Sequence, residues 1–201
     1  MSKVNEILVY YWKLLGTLQE FGIAESIRRI RKEIFRKNSN ALDISWVTGR
    51  LGVGAAPRGS GPIKVLANFN ISDLIDLRAE RSSADSLLDP CGFKVHWVPI
   101  YDDWKPKEFK FFEQLIQTID RITRDRDYKI LICCGAGEHR APLGGAVALL
   151  TLGYSLGEAI ELLKKARPVA EFLPVYVRSL EEYIKSKNTA HGTGFKAPVS
   201  K

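Results

Sequence analysis

The chain has 201 residues, 45% of them hydrophobic and 26% charged, with three Cys, three His and a formal net charge of +7. This size suits one domain plus an extension; three cysteines exclude a disulfide framework, and His96, His139 and His191 lack metal-ligand spacing, so no metal site or cofactor is expected. Residues 1–40 carry eight Lys/Arg against four Glu and residues 185–201 four Lys without an acid, so the basic charge sits at the ends and a nucleic-acid partner is not expected.

Residues 4–20 read as an apolar helix interrupted by Glu6 and Lys13, too short for a membrane span. After Gly22 a second helix places Ile23, Ile27, Ile30 and Ile34 on one stripe among Arg28, Arg29, Arg31, Lys32, Arg36 and Lys37. The pair fits a helical hairpin packed on the domain or on a partner, and alternatively an anchor on an anionic membrane surface. Residues 44–56 read as a hairpin around Thr48-Gly49, and the Gly/Pro-rich stretch 55–62 lacks the Gly-Lys-Ser/Thr ending of a nucleotide loop. A short helix is expected from Ile63 to Phe69, buried strands over Asp73–Leu77 and Lys94–Ile100, and a polar segment over 79–92 that includes Cys91. Arg78, just after a strand, is expected in a surface ion pair or at the border of a pocket. Phe111, Phe112, Leu115, Ile116, Ile119 and Ile122 give residues 107–124 one apolar helical face.

Then comes Ile130-Leu-Ile-Cys-Cys-Gly-Ala-Gly-Glu-His-Arg-Ala-Pro142. Lys129–Cys133 is an apolar, β-branched run suited to a strand buried on both faces, and Pro142 suits a first helical turn. Helices follow at about 142–152, 156–166 and 171–186, then a small, polar, basic tail from Asn188 that reads as disordered. Strands alternating with helices imply an α/β fold: a central, mostly parallel sheet flanked by helices, with an N-terminal helical extension. The expected organisation is an extension over 1–40, a catalytic domain over 41–187 and a tail over 188–201.

Five residues separate Cys134 from Arg140, enough for a loop whose backbone N–H groups surround one oxyanion at a helix N-terminus. Cys134 would be a thiolate nucleophile in the floor, Arg140 a bidentate clamp on two oxygens, and the amides of Gly135, Ala136, Gly137, Glu138 and His139 the cradle. A leaving oxygen needs an acid, and Asp102 or Asp103 in Pro99-Ile-Tyr-Asp-Asp-Trp-Lys-Pro106 could reach the pocket from the C-terminal end of a strand, with Trp104 helping to hold that loop. Cys133 reads as a core residue, because free Cys is usually buried. Glu138 inside the cradle, with no Lys beside it, argues against highly charged phosphoinositides.

Cys134, Gly137 and Arg140 match in register the His-Cys-x-x-Gly-x-x-Arg-Ser/Thr signature, and the segment resembles the Cys-based protein tyrosine phosphatases, in particular the compact dual-specificity branch. The resemblance extends over residues 44–184 and includes Leu51-Gly-Val-Gly54, Ile75-Asp-Leu-Arg78 and Arg167-Pro168. The rhodanese sulfur-transfer loop, a rival, is one residue shorter. In relatives reading acidic-Asp-x-x-Pro the catalytic acid is the second one, which implies Asp103, with Asp102 the alternative. Two positions depart from the signature: Cys133 stands where it has His, and Ala141 where it has Ser/Thr. No Gln follows Pro168 to position water.

The resemblance implies a phosphatase working through a cysteinyl-phosphate, acting on protein phosphotyrosine and also on phosphoserine or phosphothreonine. A lipid or small-molecule phosphatase is one alternative, and a phosphate-binding module with little turnover is another. A cytoplasmic location is expected, with peripheral membrane attachment through the N-terminal helices as an addition.

Overall fold

The computed structural model describes residues 42–57, 64–66, 68–80, 92–125 and 127–191, together with helical positions at 11, 15, 18, 22–24 and 27. Most of the expected N-terminal helices, the centre of the Gly/Pro-rich stretch, most of the polar segment with Cys91, and the chain beyond His191 lie outside the described residues. Five strands form one sheet: β1 (Ile44–Trp46), β2 (Leu51–Ala55), β3 (Asp73–Arg78), β4 (Lys94–Ile100) and β5 (Ile130–Cys134). Among the described residues, helices α1 (Phe109–Thr123), α2 (Arg140–Thr151), α3 (Leu156–Ala166) and α4 (Pro174–His191) accompany it.

The strand order is β1-β2-β5-β3-β4, with β1 antiparallel to β2 and every other pair parallel. In register, Ala55 lies beside Cys134 and Asp76 beside Cys133. The parallel strands β2, β5, β3 and β4 therefore end at one edge, where open α/β sheets bind ligands. β5 is buried along its whole length, as a central strand with both faces covered must be. Its alternation splits the two adjacent cysteines. Ile130, Ile132 and Cys134 join the core shared with α1–α4, whereas Leu131 and Cys133 join Leu66, Ile71, Leu74 and Phe93 on the other face.

Helix α2 packs almost against the sheet backbone. A Cβ on Gly144 would come 2.8 Å from Leu77, and one on Gly145 2.8 Å from Val53, so larger residues there would lift the helix. α3 begins with a capping box in which Ser155 and Glu158 satisfy each other's backbone N–H groups. The helix expected from 142 starts two residues earlier, placing Arg140 in its first turn, and α4 continues to His191, past the expected start of the tail at 188. Only 64–66 of the expected 63–69 helix is helical among the described residues, with a turn over 68–70.

Arg78 corrects its expectation. It is 6% exposed, and its guanidinium binds both oxygens of the fully buried Asp76 at 2.8–3.2 Å, so it is an interior ion pair and not a surface one. Trp97 donates to the Arg78 carbonyl oxygen at 2.9 Å and pins the strand end.

Candidate active site

Cys134 is the last residue of β5 and Arg140 the first of α2, so the five intervening residues must turn between a strand end and a helix start. Gly137 makes that turn at φ +68°. A Cβ there would lie 2.5 Å from the Gly54 carbonyl carbon and 2.7 Å from the Ala55 nitrogen, so space and backbone both demand glycine. The Gly137 N–H is donated to Cys134 Sγ at 3.2 Å, which folds the loop over the sulfur. Cys134 itself is 2% exposed, at the bottom of the cradle.

The loop is held from behind by Arg167. This side chain is 1% exposed; its Nε donates to the Gly137 carbonyl oxygen at 2.6 Å and its Nη2 to the Ala136 oxygen at 3.3 Å. Two further bonds, 2.9 and 2.8 Å, go to the carboxylate of Asp43 beside β1. With the Ala136 and Gly137 carbonyl oxygens held by Arg167, the back of the loop is its acceptor side, and an anion requires the opposite, donor side.

Arg140 is oriented by Glu80. Nη1 and Nη2 bind the two carboxylate oxygens at 2.6 and 2.7 Å, and Nη1 also donates to the Ile100 oxygen at 3.2 Å. A guanidinium has five N–H bonds. Those three contacts use its end, and the side-on edge, Nε–H with the second Nη2 hydrogen, remains. Nε is buried and makes no hydrogen bond among the described residues. Burial alone would weaken the charge, but Asp102, Glu80 and Cys134 around it outweigh burial and hold the guanidinium protonated more firmly than usual. The same contacts with Arg140 overcome the burial of Glu80 and lower its pKa.

The two adjacent aspartates part company. Asp103 is bound to the Lys107 ammonium and accepts the Lys105 N–H at 3.2 Å. Asp102 points to the cradle: its carboxylate lies 3.2 Å from His139 Nδ1, 3.9 Å from Arg140 Nε, and accepts the Tyr176 hydroxyl at 3.2 Å. Trp104, the next residue, has a backbone φ of +59°, rare for a bulky residue, and its N–H is donated to Tyr176 Oη at 3.2 Å. Its ring meets His139 edge-on at 5.9 Å, so Trp104 does bridge the acidic loop and the cradle.

Cys133, beside Cys134 in sequence, is fully buried on the opposite sheet face. Burial, reinforced by the Asp76 carboxylate, pushes its thiol far above the usual range. Among the described residues no cluster of His, Cys, Asp and Glu is arranged to hold a metal ion, and no helix is long and apolar enough to cross a membrane.

Solved structures share this arrangement of sheet, loop and helices. A mouse putative dual specificity phosphatase, solved with zinc tungstate, superposes with a TM-score of 0.64 at 21% identity, covering 76% of this chain and 93% of its own. The fold is that of the dual-specificity phosphatases. Human DUSP28 gives a TM-score of 0.62 at 22% identity over 73% of this chain and 95% of its own. PTPMT1 in complex with PI(5)P gives 0.63 at 17% identity over 75% and 99%. No protein-family model and no curated protein sequence matches the chain.

Within this fold the structure gathers Cys134, Gly135, Ala136, Gly137, Glu138, His139 and Arg140 around one pocket and places Asp102 at its side, with Asp103 turned to Lys107. The sequence reading did not pick out Glu80, Glu171 or the scaffold role of Arg167. Glu80 stands three residues beyond the predicted strand end at Leu77, on the edge where ligands bind, and that placement was the available signal.

Proposed function

We propose that this chain is a Cys-dependent phosphatase of the dual-specificity type, with Cys134 as nucleophile, Arg140 and the loop amides as phosphate ligands, and Asp102 as general acid. One observation carries the reading: the side-on edge of a buried, firmly charged Arg140 is presented beside the cradle that covers Cys134. In the first step the Cys134 thiolate attacks phosphorus, the P–O bond to the leaving group breaks, and that oxygen takes the proton of Asp102. The cysteinyl-phosphate is then hydrolysed: Asp102 accepts a proton from the attacking water, the S–P bond breaks, and inorganic phosphate and the thiolate are released. Arg140 and the amides stabilise the equatorial oxygens in both steps.

The geometry supports Asp102 over Asp103, because the Asp103 carboxylate is bound to Lys107 whereas that of Asp102 lies beside His139 and Arg140. Phosphotyrosine on a protein is the proposed substrate, with phosphoserine or phosphothreonine accepted as well. Glu80 and Asp102 put two carboxylates at Arg140 beside the cradle, which oppose a polyanionic headgroup more than a single phosphomonoester. This weighs against the phosphoinositide reading that PTPMT1 with PI(5)P would otherwise suggest.

The test is release of phosphate from an aryl phosphate by the full-length chain, followed by a panel of phosphopeptides, phosphoinositides and nucleotides. Wild-type turnover that disappears in Cys134→Ser supports the enzyme. Tight phosphopeptide binding without turnover in the wild type would replace it with a binding module.

A further inference from the structure

His139 is the cradle residue whose side chain leaves the cradle. Its ring is 7% exposed, with Nδ1 3.2 Å from both oxygens of Asp102 and Nε2 3.3 Å from Glu171 Oε2. The loop does not need this ring to keep its shape, because Arg167 holds the Ala136 and Gly137 carbonyls and the Glu171 N–H holds that of Glu138 at 2.8 Å. The imidazole instead reaches across to two other segments, the acidic loop after β4 and the approach to α4. The carboxylates bracket it from opposite nitrogens, an arrangement for hydrogen bonding and not for sharing one metal ion.

A neutral imidazole donates from one nitrogen and accepts at the other. With Nε2–H given to the Glu171 carboxylate, one further proton lies between Nδ1 and the Asp102 carboxyl, and the pair holds it jointly. The proton that a leaving group needs is then kept where the geometry uses it.

We propose that His139, anchored by Glu171, is a positioning residue that holds Asp102, and the proton it delivers, beside the Cys134 pocket. This rests on the phosphatase reading above. The other groups that face the pair are already engaged. Arg140, 3.9 Å from Asp102, is bound to Glu80; Asp103 and Lys107 bind each other; Tyr176 stays protonated because burial and Asp102 push its hydroxyl far above its ordinary range.

The experiment uses the full-length chain and a series of aryl phosphates running from dinitrophenyl, whose leaving group needs no proton, to phenyl, whose leaving group does. The readout is the ratio of phenyl to dinitrophenyl turnover, with its pH profile. Asp102→Asn is expected to lower that ratio by about 10²-fold, the usual scale of general acid catalysis, and His139→Ala by about 10-fold or more. The double variant is expected to fall no further than Asp102→Asn, because both act through one proton. His139→Asn, whose amide reaches the Nδ1 position, should recover part of the ratio, and Glu171→Gln, outside the cradle, should shift the basic limb of the pH profile in the same sense as His139→Ala. A uniform loss across the esters in His139→Ala, multiplicative effects in the double variant, or an unmoved profile in Glu171→Gln would overturn the proposal. If His139→Ala does not fold, His139→Asn and Glu171→Gln decide it on the same two readouts. Wild type inactive even on dinitrophenyl phosphate, or Cys134→Ser active on it, would overturn the phosphatase reading instead.

Discussion

Asp102→Asn and Asp103→Asn exchange neighbouring carboxylates for amides of the same shape, and their surroundings dictate opposite outcomes. The partner of Asp103 is Lys107, whose side chain is 4% exposed, whose ammonium also donates to the Tyr101 oxygen at 2.8 Å, and which lies 4.3 Å from the centre of the Tyr176 ring. Burial lowers the Lys107 pKa, with Asp103 acting against the shift. Breaking a fully buried ion pair costs about 3–5 kcal/mol. The Asp103 side chain is 20% exposed and an amide oxygen still accepts, so about 2 kcal/mol is expected for Asp103→Asn, a Tm drop of roughly 4–8 °C. The sign of the pH effect follows from proton counting. Lys107 binds its proton less tightly folded than unfolded, so between its lowered value and the ordinary lysine value the unfolded chain holds more protons and stability rises with pH. Removing Asp103 extends that interval downward; the deficit should be largest near neutrality and narrow as pH climbs toward the lysine range. Asp102→Asn should instead lose about 10²-fold or more in turnover of phenyl phosphate, with a smaller change in Tm. Thermal melts from about pH 7 to about pH 10 and leaving-group series on both variants make the comparison. If Asp103→Asn carries the leaving-group effect and Asp102→Asn does not, the assignment of the acid is wrong.

Three further outcomes are expected. Arg167→Met removes the bonds to the Gly137 and Ala136 carbonyls together with the Asp43 pair, and should cost about 3 kcal/mol and raise KM for aryl phosphates, read by chemical denaturation and steady-state kinetics. Ala141→Ser adds a hydroxyl in the first turn of α2, where the signature carries one; if one hydrogen bond of about 1 kcal/mol helps the thiolate leave, breakdown of the intermediate should quicken about 5-fold in burst-resolved kinetics, and no gain would sink that role. Tyr11, Ile23 and Ile27 are 53%, 70% and 53% exposed, so co-sedimentation with anionic vesicles should fall when residues 1–40 are deleted, and equal pelleting of both forms would dismiss the membrane anchor.

The strand, loop and helix from Ile130 to Pro142 were legible because each local rule points the same way: a β-branched run, glycines where the chain must turn, and a proline in the first helical turn. The parallel sheet followed from strands alternating with helices. Boundaries were less legible, since Arg140 already lies in a helix expected two residues later and α4 outlasts its apolar pattern. The spacing marks the Cys134–Arg140 loop but not the side chains that hold it. Glu80, Glu171 and Arg167 are 60, 32 and 30 residues from the groups they hold, separations at which periodicity carries no information. The different surroundings of Asp102 and Asp103 were equally hidden, because His139 and Tyr176 lie 37 and 74 residues from Asp102.

On the phosphatase reading, charge around Arg140 ties substrate binding to the proton held by Asp102 and His139. Glu80 already balances the guanidinium through two short bonds, and Asp102 stands 3.9 Å from its open edge. A phosphate dianion entering beside Cys134 brings further negative charge to these carboxylates. Like charges this close favour holding a proton, and the pair within reach is Asp102 with His139. Binding of the dianion and retention of that proton are therefore linked: each makes the other more favourable, by the same factor. With Glu80 and Asp102 both at the guanidinium, the competent protonation state is part of the binding equilibrium.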